Sequence, residues 1–287
     1  MKIIVHGGAG KIPADDKEER ESVLKRAAET GVKEETPLAG VETAIRILEE
    51  FPLFNAGLGG SFQLDGEVRL DAAVAKSDLS TGGVINVEGV KHPITLANAV
   101  RERTPHALLQ GEGAVELARN LELDLFGETK SKRAREKWEE ISDKLSGLDY
   151  QEKLEKLKQL SSGQDTVGAV AVSSAGELAA GTSTGGVRNQ MKGRVGDSPI
   201  VGAGLYCNEQ GGVSTTGKGE AIIKANLARE LVHQLENGAD IDSAASTAIE
   251  KLEDQTGSRA GLIALDFRGN PGAAYNTRDM QYVIRTS

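Results

Sequence analysis

The sequence predicts an α+β fold in which stacked β-sheets are covered by helices. Segments with the apolar character of strands and segments with helical spacing occur in groups on both sides of a highly charged stretch, whereas a parallel α/β fold would alternate them strictly. The 35 glycines form short runs without a period, which is typical of tight turns between such elements. The 287 residues are enough to bury a sizeable core.

The N-terminal part begins with a strand and continues mainly as helices. The apolar run 3–5 predicts a buried strand that ends in a glycine-rich turn at 6–10. Apolar residues at helical spacing follow Pro37, so residues 37–50 are predicted to form an amphipathic helix. Residues 54–66 form a glycine-rich loop. Further strands are predicted at 69–76 and 82–88, and further helices at 16–31, 94–103 and 106–120.

Residues 127–163 differ from the rest of the chain because they are dense in charge and poor in strand-forming residues. This composition predicts a mobile, partly helical linker, which extends over about 127–165. An ordinary pair of solvated helices would have the same composition.

Beyond the linker the pattern returns to strands. Segments 166–174 and 178–184 are apolar and joined by a short turn, which predicts a hairpin. Residues 221–236 have a continuous apolar face that stops before Gly238, so they predict one helix. The remaining strands are predicted at 201–207, 212–216, 262–267 and 273–275, and a further helix at 242–254.

Composition excludes several classes of function. The net charge of −9 does not suit a nucleic-acid partner or an anionic membrane, and no apolar run approaches transmembrane length. Cys207 is the one cysteine, so no intramolecular disulfide can form, and the N-terminus has no signal-peptide pattern. We therefore expect a cytoplasmic protein. Sparse Cys and Met with abundant Glu, Lys and Arg also indicate heat tolerance.

Two motifs suggest other enzymes, but their surroundings do not fit. Residues 181–185 satisfy G-x-S-x-G with Ser183 as nucleophile, yet the glycine-rich segment that follows has no helical face. Residues 212–219 nearly match a phosphate-binding loop, but Gly219 replaces the Ser or Thr that would hold Mg²⁺. Such a strand-to-helix turn can still present backbone N–H groups to an oxyanion. The four histidines have no metal-ligand spacing.

Thr166 has the position that an N-terminal nucleophile requires. It begins an apolar strand directly after the polar, bendable residues 163–165. If the chain is cut before Thr166, its α-amine has a pKa of about 7.7–8 and can take the proton of its own hydroxyl, so no histidine is needed. The alternative is a β-branched residue that merely starts a strand.

Six segments together resemble the plant-type asparaginase and isoaspartyl-peptidase family of N-terminal-nucleophile hydrolases. Glycosylasparaginases and taspase are more distant relatives of that family. The resemblance extends from the first strand to about residue 277, and GRVGDSP is its most specific motif. The segments are HGGAG at 6–10, FNAGLGG at 54–60, QDTVGAVA at 164–171, TSTGG at 182–186, GRVGDSPIVGAG at 193–204 and TTGKGE at 215–220.

The resemblance implies a four-layer αββα sandwich formed by a single domain, 1–287. It also implies autocatalytic cleavage between Asp165 and Thr166, which gives an α subunit of 1–165 and a β subunit of 166–287. Family members usually associate as (αβ)₂ dimers. The implied activity is hydrolysis of the side-chain amide of L-asparagine and of β-aspartyl dipeptides, which are small-molecule substrates.

The resemblance also assigns roles to individual residues. Thr166 is the nucleophile, Thr184 orients its hydroxyl, and Thr216 with the Gly217 backbone N–H forms the oxyanion hole. Arg194 binds the substrate α-carboxylate through its fork of N–H groups, and Asp197 accepts the substrate ammonium. On the residues alone, a surface ion pair between Arg194 and Asp197 is equally plausible. The other residues assigned to substrate binding are Asn55, Val195, Gly196, Lys218 and Gly219.

No cofactor is expected for catalysis, but the resemblance implies a structural sodium ion in a cage of oxygen atoms. Its expected ligands are the backbone carbonyls of Leu48, Glu49, Phe51, Phe54, Ala56 and Leu58.

Three alternative functions share some of these features. A glycosylasparaginase is usually exported and disulfide-bonded, which does not fit the single cysteine. A protease of the taspase kind would need a protein-binding extension, for which the sequence gives no sign. An uncleaved, non-catalytic binding homologue is the alternative from a different class, and the filled catalytic positions oppose it. The positive charge of Lys218 beside the expected site is a departure that can alter substrate preference.

Overall fold

The computed structural model describes residues 1–125, 131–160 and 166–287. The described helices are α1 (Lys17–Gly31), α2 (Pro37–Glu49), α3 (Pro93–Arg103), α4 (Gly111–Asn120), α5 (Lys132–Leu145), α6 (Tyr150–Leu160), α7 (Gly219–Ala225), α8 (Leu227–Glu236) and α9 (Ile241–Thr256). The described strands are β1 (Lys2–Gly10), β2 (Leu70–Lys76), β3 (Thr81–Val87), β4 (Leu108–Gln110), β5 (Val167–Val172), β6 (Leu178–Thr184), β7 (Leu205–Cys207), β8 (Gly211–Gly217), β9 (Ala260–Asp266), β10 (Pro271–Tyr275) and β11 (Asp279–Thr286).

The strands form two sheets. One has seven strands in the order β11-β1-β5-β6-β2-β3-β4, and the other has four in the order β10-β9-β8-β7. The described strand pairs are antiparallel except β3 with β4. The α+β prediction is therefore confirmed.

Three apolar clusters hold these elements together, and strand alternation explains the division. Ile3 and Val5 of β1 pack with α1–α4 on one face of the seven-stranded sheet. Ile4, between them, points to the opposite face and joins a cluster that includes residues of both sheets, such as Ile263. Helices α7–α9 pack on the other face of the four-stranded sheet, where Leu262 is buried. Both faces of each sheet are thus covered.

Strands β5 and β6 lie side by side near the middle of the larger sheet and are buried along their whole length. Their antiparallel register pairs Val167 with Ser183. Thr166, just before β5, and Thr184, at the end of β6, therefore lie at the same edge. The sequence prediction of a hairpin here is confirmed, and this hairpin places the candidate nucleophile.

The glycine-rich segment 6–10 is part of a strand, so the predicted turn is wrong. Strand β1 continues through it to Gly10 and pairs with β11 on both sides of an irregularity between His6 and Ala9. Gly8 adopts a φ of +106° at this point, which a side chain would disfavour, and so permits a bulge without ending the strand.

Three other boundaries differ from the predictions, and one strand was missed. The predicted helix 106–120 begins with the short strand β4, and the predicted helix 221–236 is divided at Asn226, which adopts a left-handed conformation with φ +48°. The predicted strand 201–207 is regular only over β7. Strand β11 was not predicted at all, although it forms one edge of the larger sheet.

The charged linker is partly helical, as predicted, because it contains α5 and α6. Helix α5 packs on the body of the protein. The Trp138 indole donates to the Gln63 carbonyl at 2.9 Å, its ring lies 5.8 Å from that of Phe62, and Arg133 pairs with Asp16. For this part of the linker, a packed helix replaces the predicted mobile segment. Residues 126–130 and 161–165 lie outside the described residues, and so does the predicted junction residue Asp165.

In the three described ranges, each helix is too short or too polar to cross a membrane.

Candidate functional site

A small cleft lies where β5 begins and where β6 and β8 end. Six of the residues predicted for the site line it, and two further residues were not predicted. The described lining residues are Thr166, Thr184, Gly186, Val187, Arg194, Gly196, Asp197 and Gly217. The fold thus brings together segments that are up to 51 positions apart in sequence, from Thr166 to Gly217.

The hydroxyls of Thr166 and Thr184 face each other at the bottom of the cleft. Thr166 is buried, and its Oγ1 donates to Thr184 Oγ1 at 3.3 Å. Thr184 Oγ1 also accepts the Gly186 backbone N–H at 3.0 Å. Since the turn after β6 holds Thr184 in this orientation, Thr184 can in turn fix the rotamer of the Thr166 hydroxyl.

Asn55 lies behind the cleft and does not line it. Its Nδ2 donates to the Gly186 carbonyl at 2.6 Å, and its Oδ1 accepts the Ser61 backbone N–H at 2.9 Å. Both ends of the amide are therefore engaged by backbone. In the structure Asn55 braces the turn that follows Thr184, and its predicted role in substrate binding stays a prediction.

Strand β8 contributes a buried hydroxyl without a described partner. Thr216 is fully buried, and its Oγ1 has no hydrogen bond to any residue of the described ranges. Side chains alternate along a strand, so Thr216 points to the same side as Ser214. Ser214 faces β5, where it lies against Gly168. Thr216 therefore points toward the beginning of β5, where Thr166 stands, and an orphan buried hydroxyl there suits an incoming oxyanion.

Ser214 itself is held by His6. The Gly8 backbone N–H donates to His6 Nδ1 at 3.2 Å, so Nε2 carries the proton and donates to Ser214 Oγ at 2.9 Å. Burial lowers the pKa of His6 to about 3, which keeps the ring neutral. A Cβ on Gly168 would lie 1.9 Å from Ser214 Oγ. Glycine at this position therefore lets the two sheets approach closely next to the cleft.

Gly217 ends β8 in a conformation that other residues rarely adopt. Its φ is +148°, and a Cβ there would lie 2.6 Å from the Cα of Ala260. Glycine is therefore needed for this backbone conformation against β9, and Gly217 lines the cleft, where the predicted oxyanion role would place its N–H.

Arg194 is largely buried, with 16% of its side chain exposed. Its Nε and Nη2 each lie 3.0 Å from one oxygen of Glu220, and its Nη1 donates to Gln190 Oε1 at 3.0 Å. Within the described ranges, Glu220 is the carboxylate that pairs with Arg194. The alternative of a surface ion pair between Arg194 and Asp197 is thereby removed.

Asp197 is buried beside Arg194 without forming an ion pair with it. Burial raises the pKa of Asp197 to about 6, although Arg194 and a hydrogen bond from Thr215 oppose the rise. The Thr215 hydroxyl lies 3.4 Å from Oδ2. Gly219 separates the two charged groups, because a Cβ at Gly219 would lie 2.8 Å from both Arg194 Nη2 and Asp197 Oδ1. A cation and an anion thus flank one open position.

Besides Asn55, four residues predicted for substrate binding are not among the lining residues of the cleft: Val195, Thr216, Lys218 and Gly219. Val195 is 37% exposed, and its neighbour Gly196 is the one that lines the cleft. Lys218 is exposed and lines an adjacent cavity together with Met191 and residues of α6. The charge of Lys218 therefore stands near the mouth of the cleft and not inside it.

Sequence reasoning missed Asp71, a buried carboxylate next to the cleft. It accepts the Asn86 backbone N–H at 2.7 Å and is paired in register with Thr184. Burial raises the pKa of Asp71 to about 6, while hydrogen bonds from Asn86 and Gly196 and the charge of Arg194 oppose the rise. The sequence signal was an Asp in an otherwise apolar strand. Asp71 ties the loop of Arg194 to the central strands.

The side chain of Glu49 is a second missed group. It is fully buried and accepts the Ser183 hydroxyl at 2.6 Å and the Ile94 N–H at 3.1 Å. Burial raises its pKa. Ser183 is thus occupied with Glu49, and β6 does not lead into a helix, so the nucleophile role suggested by G-x-S-x-G is excluded.

The loop expected to hold sodium folds back onto its own carbonyl oxygens. A Cβ on Gly57 would lie 2.4 Å from the Glu49 carbonyl oxygen, and a Cβ on Gly59 would lie 1.9 Å from that of Phe54. Glycines at these two positions therefore let the backbone lie directly against two of the expected ligand carbonyls. Among the residues that the structure describes, no group of His, Cys, Asp and Glu side chains could hold a metal ion.

Comparisons with known proteins agree on one family. A family model described as asparaginase matches residues 1–287. A plant-type L-asparaginase from Pyrococcus furiosus is 43% identical, with 99% of this chain and 96% of the relative covered. A protein of the same description from Thermococcus kodakarensis is 42% identical over 98% and 95%. An isoaspartyl peptidase/L-asparaginase from Mus musculus is 37% identical over 98% and 87%.

Proposed function

The chain belongs to the asparaginase family, and from this premise we propose that it hydrolyses the side-chain amide of L-asparagine and of β-aspartyl dipeptides. One observation carries the proposal. The hydroxyl of Thr166, held by Thr184, lies in the same small cleft as a separated cation and anion, Arg194 and Asp197. This arrangement fits a substrate that has a free α-ammonium and a free α-carboxylate and reacts at its side-chain amide.

Activation requires that Thr166 become N-terminal. In the proposed maturation, Thr166 Oγ1 attacks the carbonyl carbon of Asp165, the peptide bond breaks as an ester forms, and water hydrolyses the ester. The products are a chain of 1–165 with a free carboxylate and a chain of 166–287 with a free amine. The buried Thr166 at the start of β5 supports this proposal, because the strand holds its hydroxyl in place during the reaction.

In the proposed hydrolysis, the freed amine of Thr166 takes the proton of its own hydroxyl, and Oγ1 attacks the substrate's side-chain carbonyl. The negative charge that develops on the carbonyl oxygen is stabilised by the Thr216 hydroxyl and the Gly217 N–H. The α-ammonium then protonates the leaving amine, which departs as ammonia or as an amino acid. Water finally releases aspartate and restores the hydroxyl.

The substrate head is recognised by opposite charges on the two sides of Gly219. Arg194 binds the α-carboxylate and Asp197 binds the α-ammonium, so the site recognises both charged groups of the zwitterion at once. Since asparagine and β-aspartyl dipeptides share this head and differ in the leaving group, both classes fit the cleft. The experiment that tests the function measures kcat/KM of the matured protein for both classes. If the matured protein releases aspartate from neither class, the proposed function is refuted.

The same proposal extends to the fold, assembly, localisation, thermal stability and ion content of the protein. The two helical groups and the two facing sheets support a four-layer αββα sandwich formed by one domain. We also propose an (αβ)₂ dimer, cytoplasmic localisation, and thermal stability in keeping with thermophilic archaeal relatives. A sodium ion would be held by the carbonyls of the 48–58 loop, where Gly57 and Gly59 pack directly against the carbonyls of Glu49 and Phe54. It would stabilise that loop and take no part in the chemistry.

The pH dependence of kcat/KM should reveal Asp197. Above its pKa of about 6, Asp197 is charged and can bind the ammonium, and below this pH the charge is lost. The amine of Thr166 must also be neutral, and its pKa is typically about 7.7–8. We therefore expect log(kcat/KM) for asparagine to fall with a slope of about one below pH 7.5 and about two below pH 6.

The control for this profile is Asp197→Asn, whose side chain does not titrate. Its activity should be low, and its profile should keep a slope of about one down to pH 5. A wild-type profile without the steeper limb would contradict the assignment of Asp197. A steep limb that persists in Asp197→Asn would instead point to Asp71, whose pKa is also about 6.

A further inference from the structure

The Arg194 guanidinium contacts two acceptor residues, Glu220 and Gln190. A guanidinium has five N–H groups in a planar fork. In the described structure, Nε and Nη2 contact one oxygen of Glu220, and Nη1 contacts Gln190 Oε1. Nε and Nη1 thereby each donate one hydrogen bond, and Nη2 makes an ion-pair contact with the same Glu220 oxygen. One N–H on Nη1 and at least one on Nη2 therefore remain for a carboxylate in the cleft.

Gln190 is anchored independently of Arg194. Its Oε1 also accepts the Val187 N–H at 2.8 Å, and its backbone carbonyl accepts the Leu64 N–H at 3.0 Å. The side chain is buried, so it has little freedom to rotate. Gln190 therefore holds one end of the guanidinium, and Gln190 is itself held by the backbone of Leu64 in the N-terminal part of the chain.

Glu220 fixes the other edge. It stands in the first turn of α7, three positions after Gly217, so it moves with the segment that supplies the oxyanion hole. Burial raises the pKa of Glu220, but the Arg194 charge and hydrogen bonds outweigh this effect, and the net pKa is below the usual range. A charged Glu220 is thus expected at neutral pH.

We propose that Glu220 and Gln190 are positioning residues that fix the plane of the Arg194 guanidinium, so that the N–H groups left on Nη1 and Nη2 receive the substrate α-carboxylate. This inference rests on the proposed function. Neither residue touches the substrate, and both act through Arg194. A guanidinium without these contacts could rotate about its flexible side chain, and binding of the carboxylate would then cost more entropy.

The test compares Glu220→Ala with Glu220→Gln in the matured enzyme. Glu220→Ala should raise KM for asparagine about tenfold or more while kcat stays within about threefold, since the chemistry at Thr166 is unaffected. Glu220→Gln keeps an acceptor oxygen in the same place, so its KM should stay within about threefold of the wild type. Glu236→Ala is the matched control, because Glu236 pairs with Arg229 at 2.8 Å away from the cleft.

The outcomes separate this inference from the proposed function. If wild-type protein does not release aspartate from asparagine, the function itself fails. If the wild type is active but Glu220→Ala leaves KM unchanged, the positioning role is refuted. It is equally refuted if Glu220→Gln is as impaired as Glu220→Ala, or if the loss in Glu220→Ala lies in kcat, because either result would mean a general structural role.

Discussion

Replacement of Thr166 by alanine is expected to leave an intact chain of 30.3 kDa that hydrolyses neither asparagine nor β-aspartyl dipeptides. The variant lacks the oxygen that attacks both the Asp165 carbonyl and the substrate carbonyl. Loss of a nucleophile commonly costs on the order of a million-fold in kcat. A denaturing gel and an assay of aspartate release, made on the same incubated sample, measure both effects.

Two controls distinguish lost chemistry from lost folding. Thr166→Ser keeps the hydroxyl and should therefore still cleave itself and hydrolyse asparagine. Thr166→Ala should fold, because the hydrogen bond to Thr184 that it loses is long, at 3.3 Å. Its thermal unfolding temperature should therefore match that of the uncleaved wild type. If a Thr166→Ala variant that is folded by this criterion still cleaves itself, another residue is the nucleophile.

The second large effect is expected when the charged groups beside Gly219 are changed. In the proposed complex, Asp197 and the substrate ammonium form a buried charge pair. Removing one partner of such a pair typically costs about 2–5 kcal/mol, so Asp197→Ala should lower kcat/KM by about two orders of magnitude or more. Arg194→Lys keeps the charge but loses the fork, so it should still mature and yet hydrolyse asparagine poorly. Steady-state kinetics of the matured variants provide the measurement.

A panel of substrates tests the same assignment in the wild type. N-acetylasparagine lacks the ammonium and asparagine methyl ester lacks the carboxylate, so both should be poor substrates. Changes to the leaving group should matter much less, because the α-ammonium of Thr166 assists its departure. If N-acetylasparagine is hydrolysed as fast as asparagine, Asp197 does not bind the substrate ammonium.

The elements that could be predicted from the sequence are those whose pattern of apolar residues matches their burial in the fold. Helix α2 and the β5–β6 hairpin are buried along continuous apolar faces, and both were predicted. Strand β11 was missed because it is an edge strand with few buried residues, such as Met280 and Val283. The break at Asn226 was missed because apolar spacing continues across it, while Asn tolerates the left-handed conformation.

The same limit applies to the site. Thr166, Thr184, Arg194 and Asp197 stand in specific motifs and lie together in the cleft, as the sequence predicted. The groups that hold them were not predictable in this way. Glu220 meets Arg194 only because α7 follows β8 beside the 187–194 loop, and Asp71 reaches this loop from a strand of the N-terminal part. Such partners are set by the packing of distant segments.

The central claim is that cleavage before Thr166 creates the enzyme. The most direct test incubates purified wild-type protein and follows intact mass, the new N-terminal residue and asparagine hydrolysis over time. We expect that chains of 1–165 and 166–287 appear together, that the new N-terminus is Thr166, and that activity rises in proportion to the cleaved fraction. Full activity in a preparation that remains a single intact chain would contradict it.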